Sequence, residues 1–474
     1  MSTLEISPMP GGREQLCAVA PSPQLRERIQ KQLSALRTRG AELSALSDFL
    51  SFRFPVRIGM NDGVVRPSSY LAAAEAVSAI RSAPAPRVPL RGQLRVAVIL
   101  VDFPDKAMAV TKQHIEDLFF SSGQIPTGSV KEYYQEVTKG LVDIVGDVVG
   151  PLTMPHPITY YANNKSGLAD NPPNAQQLAL DAAQAADPLI DFTPFDNDGD
   201  GFVDAYVIVH AGRGAEETGS SGDIWSHKWV LPQGAYQADQ TSIYGYLTVP
   251  EDCKLGVCAH ELGHLLFGFP DLYDTDYSSE GIGNWCLMAG GSWNGNGDTP
   301  AHPSAWCKVN QNWAPILTPT SSSQITVEDV KAKGPIVQVT PLGGDGSEYF
   351  LMENRQQAQF DTKLPAAGLL VWHIDENVSD NTNENHYKVA LLQADGRRDL
   401  ETSSNRGDDG DPYPGKSGAQ SIGADTNPNS RVYSGADSQI TISNISGSGP
   451  AITFNLELGA QTSTARTRRH RPAA

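Results

Sequence analysis

Five residues, His260 to His264, constrain this chain most strongly, because their pattern has a chemical meaning only on a helix. Their sequence is His-Glu-Leu-Gly-His. Positions i and i+4 of an α-helix share a face, so the imidazoles of His260 and His264 can reach one metal ion. Glu261 lies between them, where it can contact a metal-activated water rather than the ion. The pattern predicts a zinc site, and the alternative is a helix with two surface histidines.

The residues around this motif favour a helix. Its apolar face is formed at helical spacing by Cys258, Leu262, Leu265 and Leu266. Gly268 and Pro270 predict the end of the helix. Gly263 costs about 1 kcal/mol relative to alanine in a helix, which suggests that another backbone segment passes close to it. The following Asp271-Leu272-Tyr273-Asp274 offers carboxylates from a loop as a third ligand.

Composition excludes several classes of protein. The chain has 474 residues, and 36 Lys+Arg against 54 Asp+Glu give a net charge of −18, which argues against nucleic-acid binding. No apolar run is long enough to span a membrane. Five cysteines are too few for a disulfide scaffold. The first residues lack a charged segment followed by an apolar one, so no standard signal peptide is visible.

The pattern along the chain predicts four regions. Residues 1–90 form a helical, pro-segment-like region that ends in a Pro-rich linker, residues 91–318 a catalytic domain, residues 319–459 a β-rich domain, and residues 460–474 a disordered basic tail. The catalytic domain opens with a buried strand, Leu94–Phe103. The β-rich region carries short apolar runs separated by turn signals, which predict a β-sandwich. Those runs are Gln324–Val327, Ile336–Val339, Tyr349–Met352, Leu369–His373, Val389–Leu392, Ile440–Ile445 and Ile452–Leu456.

Several longer motifs resemble the M6 family of metallopeptidases, the immune-inhibitor-A-like zincins. They are HELGHLLFGFPDLYD, WCLMAGGSW (Trp285–Trp293), SVKEYYQEVTKGLVDIVGDV (Ser129–Val148), FDNDGDGFVDAYVIVHAG (Phe195–Gly212), IWSHKW, HPSAWCKV, YFLMENR and GLLVWHIDE. The resemblance covers roughly residues 94–458. It implies an α+β fold in which a zincin, metzincin-like catalytic domain precedes a β-sandwich-like C-terminal domain, and it implies endopeptidase activity on proteins or peptides. It also suggests a secreted protein.

The resemblance assigns roles to individual residues. It implies that His260 and His264 bind zinc, that Glu261 is the general base, and that Met288 forms the methionine turn beneath the metal. In the family, a glycine and an aspartate usually fall seven and ten residues after the first histidine. Here Gly268 and Asp271 fall eight and eleven residues after His260, so the loop is one residue longer. Asp271 is the predicted third ligand, and its rivals are Asp274 and Glu280. Tyr273 and His302 are candidates for stabilising the oxyanion.

A second cation site is predicted in an acidic loop. Asp196, Asp198, Asp200 and Asp204 follow the spacing of a calcium loop. Val207 stands where an EF-hand has glutamate, so the prediction is a calcium site at the entry to a strand, and the alternative is a tight turn with solvated carboxylates. For the cluster at Asp408–Asp411, a solvated loop is favoured over a second calcium site. Two histidines, His210 and His227, are interpreted as buried supports rather than ligands of another metal.

The chain is therefore predicted to be a monomeric zinc-dependent endopeptidase with structural calcium, in which Glu261 assists attack by a zinc-bound water. One alternative is a zincin-like amidase acting on small substrates. Another is a secreted binding or adhesion protein with weak catalysis. Cys17 raises a further hypothesis: if residues 1–90 are a pro-segment, its thiolate could occupy the open position of zinc. The alternative for Cys17 is a small buried apolar residue.

Overall fold

The computed structural model describes residues 16–38 and 89–459, apart from positions 233 and 333. Residues 1–15 and 39–88 of the predicted N-terminal region, with most of its linker, and the predicted basic tail lie outside these residues. The helices are α1 (Pro23–Thr38), α2 (Lys112–Phe120), α3 (Val130–Val137), α4 (Ile158–Ala162), α5 (Ala175–Ala186), α6 (Ala215–Thr218), α7 (Leu255–Phe267) and α8 (Ala305–Asn310). The strands are β1 (Cys17–Ala18), β2 (Gly92–Asp102), β3 (Val142–Thr153), β4 (Tyr206–His210), β5 (His227–Val230), β6 (Tyr236–Ala238), β7 (Thr241–Ile243), β8 (Gly245–Pro250), β9 (Ile316–Leu317), β10 (Ser323–Glu328), β11 (Ile336–Val339), β12 (Glu348–Arg355), β13 (Gly368–Asp375), β14 (Val389–Leu391), β15 (Ile440–Ser443) and β16 (Ala451–Leu458).

A six-stranded sheet of order β1-β5-β8-β4-β2-β3 organises the first part of the molecule. Strands β3, β2, β4 and β8 run parallel, whereas β5 is antiparallel to β8 and β1 is antiparallel to β5. Strand β2 is buried from Val96 to Val101, as its continuous apolar run predicts. Strand β5 has only the two residues of β1 beside it, where Cys17 pairs with Lys228 and Ala18 with His227.

Helix α7 carries the histidine motif and is buried along its whole length. It ends at Gly268, whose φ of 66° is left-handed, and the N–H of Gly268 bonds to the carbonyl of His264. Tyr134 of α3 donates from its hydroxyl to the carbonyl of Ala259 at 2.6 Å, which ties the two helices together. The predicted stop at Gly268 is therefore confirmed.

The β-rich part contains a five-stranded sheet of order β14-β13-β12-β11-β9 and a three-stranded sheet of order β10-β16-β15. All seven predicted runs form strands, with ends displaced by a few residues. Alternate residues of β12 point to opposite sides: Phe350 and Met352 pack with the three-stranded sheet, whereas Leu351 packs with the core of the first part. The five-stranded sheet is therefore covered on both faces.

Buried ion pairs add to the packing between the two parts. Arg355 contacts Asp361 with Nη2–Oδ1 at 2.5 Å and Glu353 with Nη1–Oε1 at 3.1 Å, and all three side chains have no solvent exposure. Lys308 of α8 reaches Glu353 at 2.7 Å. The Lys308–Glu353 pair crosses the predicted boundary at residue 318, so packing is continuous there.

Candidate metal centre

Helix α7 brings the two motif histidines together at one point. The Nε2 atoms of His260 and His264 are 3.0 Å apart, and both side chains are fully buried. This follows from their spacing of four residues, which places them one turn apart on the same face. The alternative of two surface histidines is therefore wrong.

Asp271 approaches the same point from the loop after the helix. Its Oδ1 lies 3.1 Å from Nε2 of His260 and 3.2 Å from Nε2 of His264. The rival carboxylates are engaged elsewhere. Asp274 accepts hydrogen bonds from the serines that follow it, and Glu280 accepts two from the guanidinium of Arg26.

The three facing atoms fit a tetrahedral zinc ion. Two ligands held about 2.05 Å from such an ion are about 3.3 Å apart, close to the separations of 3.0 to 3.2 Å found here. The other ring nitrogens face backbone carbonyls: Nδ1 of His260 lies 2.9 Å from O of Leu287, and Nδ1 of His264 lies 2.6 Å from O of Phe269. If each Nδ1 carries the proton, each Nε2 presents its lone pair to a metal. No side-chain pattern marks these carbonyls, so the sequence did not predict them.

Asp271 and Glu261 are in contrasting electrostatic positions. Burial would raise the pKa of Asp271, but the two histidines outweigh it and hold that pKa below its usual value. Burial raises the pKa of Glu261 well above its usual value, and Asp271 and Glu216 raise it further, while the backbone of Val19 acts in the opposite direction. Among the described residues, Oδ2 of Asp271 and both carboxylate oxygens of Glu261 have no hydrogen-bond partner. Buried carboxylates without partners are the groups that a bound cation and its ligands would satisfy.

Met288 packs beneath the histidines. A Cβ placed on Gly263 would lie 2.8 Å from Sδ of Met288 and 3.5 Å from Cδ2 of Phe269. The expectation that a backbone segment approaches Gly263 is therefore wrong, since side chains fill that space. The carbonyl of Met288 also accepts a hydrogen bond from the N–H of Leu272 at 2.7 Å, which links the methionine turn to the loop of Asp271.

Cys17 lies beside this centre, on the short strand β1. Its Sγ, a ring nitrogen of His264 and a carboxylate oxygen of Asp271 all lie within 4.8 Å of one another. Tyr273 is close as well, and its hydroxyl donates to the carbonyl of Ala18 at 2.7 Å. Burial raises the pKa of Tyr273 well above its usual value, with a smaller contribution from Asp271, so the hydroxyl keeps its proton.

The acidic loop after α5 gathers three of its four predicted residues. Carboxylate oxygens of Asp196, Asp198 and Asp204 lie within 4.8 Å of one another. Asp196 also accepts hydrogen bonds from three backbone N–H groups of the loop. Asp200 is not in this group, and its Oδ1 accepts from the N–H of Phe202 at 3.0 Å. The inclusion of Asp200 with the other three stays a prediction.

The predicted histidine supports belong to strands β4 and β5 and are not among the residues gathered at the centre. Burial lowers the pKa of both His210 and His227 to about 4. Nε2 of His227 lies 2.9 Å from the hydroxyl of Tyr246, and Nδ1 of His210 lies 3.0 Å from a backbone carbonyl. His302 lies 2.7 Å from Oε1 of Glu136 and is not among the residues gathered at the centre.

The segment Asp408–Asp411 is not a simple solvated loop. Asp411 is buried, and its Oδ2 accepts a hydrogen bond from Nε1 of Trp285 at 2.9 Å. Burial raises the pKa of Asp411 to about 7. The preferred interpretation of the loop was therefore wrong for Asp411. A further group of carboxylates within 4.8 Å of one another is formed by Asp395, Asp399 and Asp408.

Comparison with known proteins identifies the domain that carries this centre. Residues 91–315 match the family model of the immune inhibitor A peptidase M6 catalytic domain. The chain is 33% identical over 252 residues to immune inhibitor A of Bacillus thuringiensis subsp. alesti, covering 44% of this chain and 36% of that protein. It is 29% identical over 305 residues to the pre-pro-metalloprotease PrtV of Vibrio cholerae serotype O1 (strain M66-2), covering 51% of this chain and 32% of that protein. The matched part is thus about a third of the length of these relatives. The mixed helix-and-sheet architecture fits the zincin-like fold of that family, and residues 91–315 are similar to its metallopeptidase catalytic domain.

Proposed function

We propose that this chain is a zinc-dependent endopeptidase. The observation that carries the proposal is the convergence of His260, His264 and Asp271 within 3.2 Å of one another, beside the buried carboxylate of Glu261. The similarity of residues 91–315 to a metallopeptidase catalytic domain supports the same conclusion.

Each residue has a separate chemical task in this proposal. His260, His264 and Asp271 hold the ion, and the backbone carbonyls behind the two rings fix their orientation. Bound zinc would supply a Lewis acid that polarises the scissile carbonyl and makes a water molecule easier to deprotonate. Glu261 takes a proton from the attacking water and delivers a proton to the leaving amine.

The edge of β5, which we propose as the substrate groove, favours a polypeptide over a small amide as the substrate. Three successive carbonyls of an extended segment, those of Ala18, Val19 and Ala20, are held by donors from the catalytic domain. Donors that bind main-chain carbonyls recognise any extended peptide. We propose that Tyr273 donates to a substrate carbonyl in the same way. A small-substrate amidase would have no use for such a row of donors, and a purely adhesive protein would not need Glu261.

The decisive experiment replaces Glu261 by glutamine. The change keeps the shape of the side chain but removes its ability to accept a proton, so hydrolysis should fall by roughly 10² or more while zinc content is kept. Zinc analysis and a fluorogenic peptide assay, with and without chelator, measure both quantities. The assay should be run before and after limited proteolysis, and the active species identified by N-terminal sequencing.

Glu457→Gln is the matched control, because Glu457 is exposed on β16, in the three-stranded sheet. It should hydrolyse peptide at the wild-type rate. A Glu261→Gln variant with full activity would contradict the mechanism. A protein that hydrolyses small amides but not peptides would favour the amidase instead.

We also propose that Asp196, Asp198 and Asp204 bind a structural calcium ion, since their oxygens converge and calcium takes several oxygen ligands. Removing calcium selectively while zinc is kept should lower the melting temperature and speed proteolytic cleavage within 196–204. Asp198→Asn should remove most of that calcium effect, whereas Asp200→Asn should retain it. An unchanged melting temperature after calcium removal would mean that these aspartates form only a turn and bind no calcium.

The remaining proposals concern the whole protein. The apolar faces of the two C-terminal sheets share one cluster of buried residues, which supports a β-sandwich-like domain. No helix in the described ranges is long and apolar enough to cross a membrane. We propose a secreted, monomeric protein, and fractionation of cultures and sedimentation analysis test these two statements separately.

A further inference from the structure

The segment at residues 16–20 continues the six-stranded sheet at the edge nearest the metal centre. Cys17 pairs with Lys228 and Ala18 with His227, and the two strands are antiparallel. The N–H of Val19 donates to the carbonyl of Ser226 at 3.2 Å. An added strand at an open sheet edge is how many proteins bind an extended peptide. These residues therefore occupy the place where a polypeptide substrate would pair with β5.

Side chains from separate parts of the catalytic domain hold the carbonyls of this segment. The carbonyl of Ala18 accepts from the hydroxyl of Tyr273 at 2.7 Å, that of Val19 from Nε1 of Trp225 at 2.9 Å, and that of Ala20 from Nε1 of Trp293 at 2.8 Å. All three donors are buried. The segment is thus bound through its main chain at three consecutive positions, in the manner expected of a substrate.

A buried ion pair fixes the segment from its other end. In α1, Nη2 of Arg26 lies 2.8 Å from Oε1 of Glu280, and both side chains are 8% exposed. The same nitrogen donates to the carbonyl of Ser279 at 2.9 Å. The N–H of Ser22 bonds to the carbonyl of Glu216 at 2.8 Å. The path from Cys17 to Arg26 is therefore anchored on both sides of the groove.

Cys17 differs from the other four cysteines in its surroundings. Cys253 and Cys258 are neighbours that share a hydrogen bond, and so are Cys286 and Cys307. The Sγ of Cys17 instead lies within 4.8 Å of a nitrogen of His264 and an oxygen of Asp271. Its side chain is 1% exposed.

A second observation shows that this space is a ligand site rather than ordinary packing. Oδ2 of Asp271 and both oxygens of Glu261 are buried without a hydrogen-bond partner among the residues described. Buried carboxylates without partners are costly, so they point to a cation in this space, and the Sγ of Cys17 is a further ligand atom beside it. A cation held among them, with a sulfur as a further ligand, satisfies them together.

We propose that residues 16–29 are an inhibitory segment that lies in the substrate groove, with the Cys17 thiolate as the fourth ligand of the ion held by His260, His264 and Asp271. The inference rests on the proposed zinc site. When the sulfur–zinc bond forms, the thiol proton passes to solvent, and nothing is oxidised or reduced. Thiolate is a strong zinc ligand, so it would exclude water from the coordination position that hydrolysis requires. Release of the segment would open both the metal and the groove.

The test uses the full-length protein with cobalt(II) in place of zinc. Cobalt bound by a thiolate gives a charge-transfer band in the near ultraviolet, whereas its d–d bands appear with any tetrahedral ligand set. We expect the wild type and Cys253→Ser, the matched control, to show both kinds of band. We expect Cys17→Ser to lose the charge-transfer band and keep the d–d bands, because a serine hydroxyl does not replace a thiolate on the metal.

The other outcomes separate this inference from the proposed function. Identical spectra in wild type and Cys17→Ser would overturn the role of Cys17 and leave the zinc site standing. Proteins that bind neither cobalt nor zinc would overturn both. A fluorogenic peptide assay with zinc tests the inhibition itself: Cys17→Ser should be more active than wild type and Cys253→Ser. Equal rates in all three would overturn the inhibitory role.

Discussion

Replacing Asp271 by asparagine tests which carboxylate completes the metal centre. The sequence left three candidates, and the structure separates them by distance. Oδ1 of Asp271 lies 3.1 and 3.2 Å from the two Nε2 atoms, whereas Glu280 forms an ion pair with Arg26. Asparagine keeps the size of the side chain but removes its charge and makes the oxygen a weaker ligand. The expected result is weaker zinc binding without a change in the fold.

The size of the effect follows from the position of the residue. Removing a group that only orients a metal ligand costs about 10- to 100-fold in metal affinity. Asp271 is proposed as a ligand itself, and its buried carboxylate faces two imidazoles. The loss of zinc affinity should therefore reach at least the upper end of this range, about 100-fold. A 100-fold loss corresponds to about 2.7 kcal/mol of the stabilisation that saturating zinc gives the folded chain.

Zinc competition against a coloured chelator measures the affinity, and thermal unfolding with and without zinc measures the linked stability. Asp274→Asn and Glu280→Gln are matched controls, since each also removes one negative charge from the same loop region. Both should bind zinc within a few-fold of wild type. Wild-type affinity in Asp271→Asn, together with lost affinity in either control, would refute the assignment.

Two further changes probe packing and charge around the centre. Gly263→Ala places a Cβ 2.8 Å from Sδ of Met288, so overpacking of about 1–3 kcal/mol should exceed the gain of about 1 kcal/mol in helix propensity. Urea denaturation should show a net loss, and an equally stable variant would mean that Met288 can move aside. Burial raises the pKa of Glu216 from its ordinary value of 4.5 to about 7. Because the pKa is higher in the folded state, the contribution of protonated Glu216 to the free energy of unfolding is complete below pH 4.5. It is lost as the pH rises through about 7, and the loss amounts to about 3 kcal/mol. Glu216→Gln should therefore match wild type at pH 4 and melt higher at pH 8, and a difference independent of pH would contradict the shift.

Local sequence patterns predicted much of the architecture because they depend on neighbouring residues. The spacing of His260 and His264 fixes a shared face on any helix, and Gly268 ends that helix in a left-handed conformation. The strand predicted to follow the acidic loop forms at Tyr206–His210. The seven C-terminal runs were found for the same reason. In each case the signal lies within about ten residues of the structure it specifies.

Local sequence patterns could not predict the contacts that depend on loop conformation. The spacing of the acidic loop counted Asp200 as equivalent to its neighbours, but the turn directs its carboxylate to the N–H of Phe202. Gly263 was correctly singled out, but its neighbour is the side chain of Met288, which reaches it through a turn that follows the metal-ligand loop. Burial of Asp411 likewise depends on Trp285, 126 residues away in sequence.

The placement of Cys17 shows why such contacts escape the sequence. Strand β1 has only two residues, and nothing in its composition specifies a partner strand. Its position is set by donors far along the chain, such as Tyr273, which is 255 residues from Ala18. These donors bind main-chain carbonyls, so the register of the segment does not depend on its side chains. The identity of residue 17 is therefore free to serve chemistry rather than packing, and in this register that residue is the one placed beside His264 and Asp271.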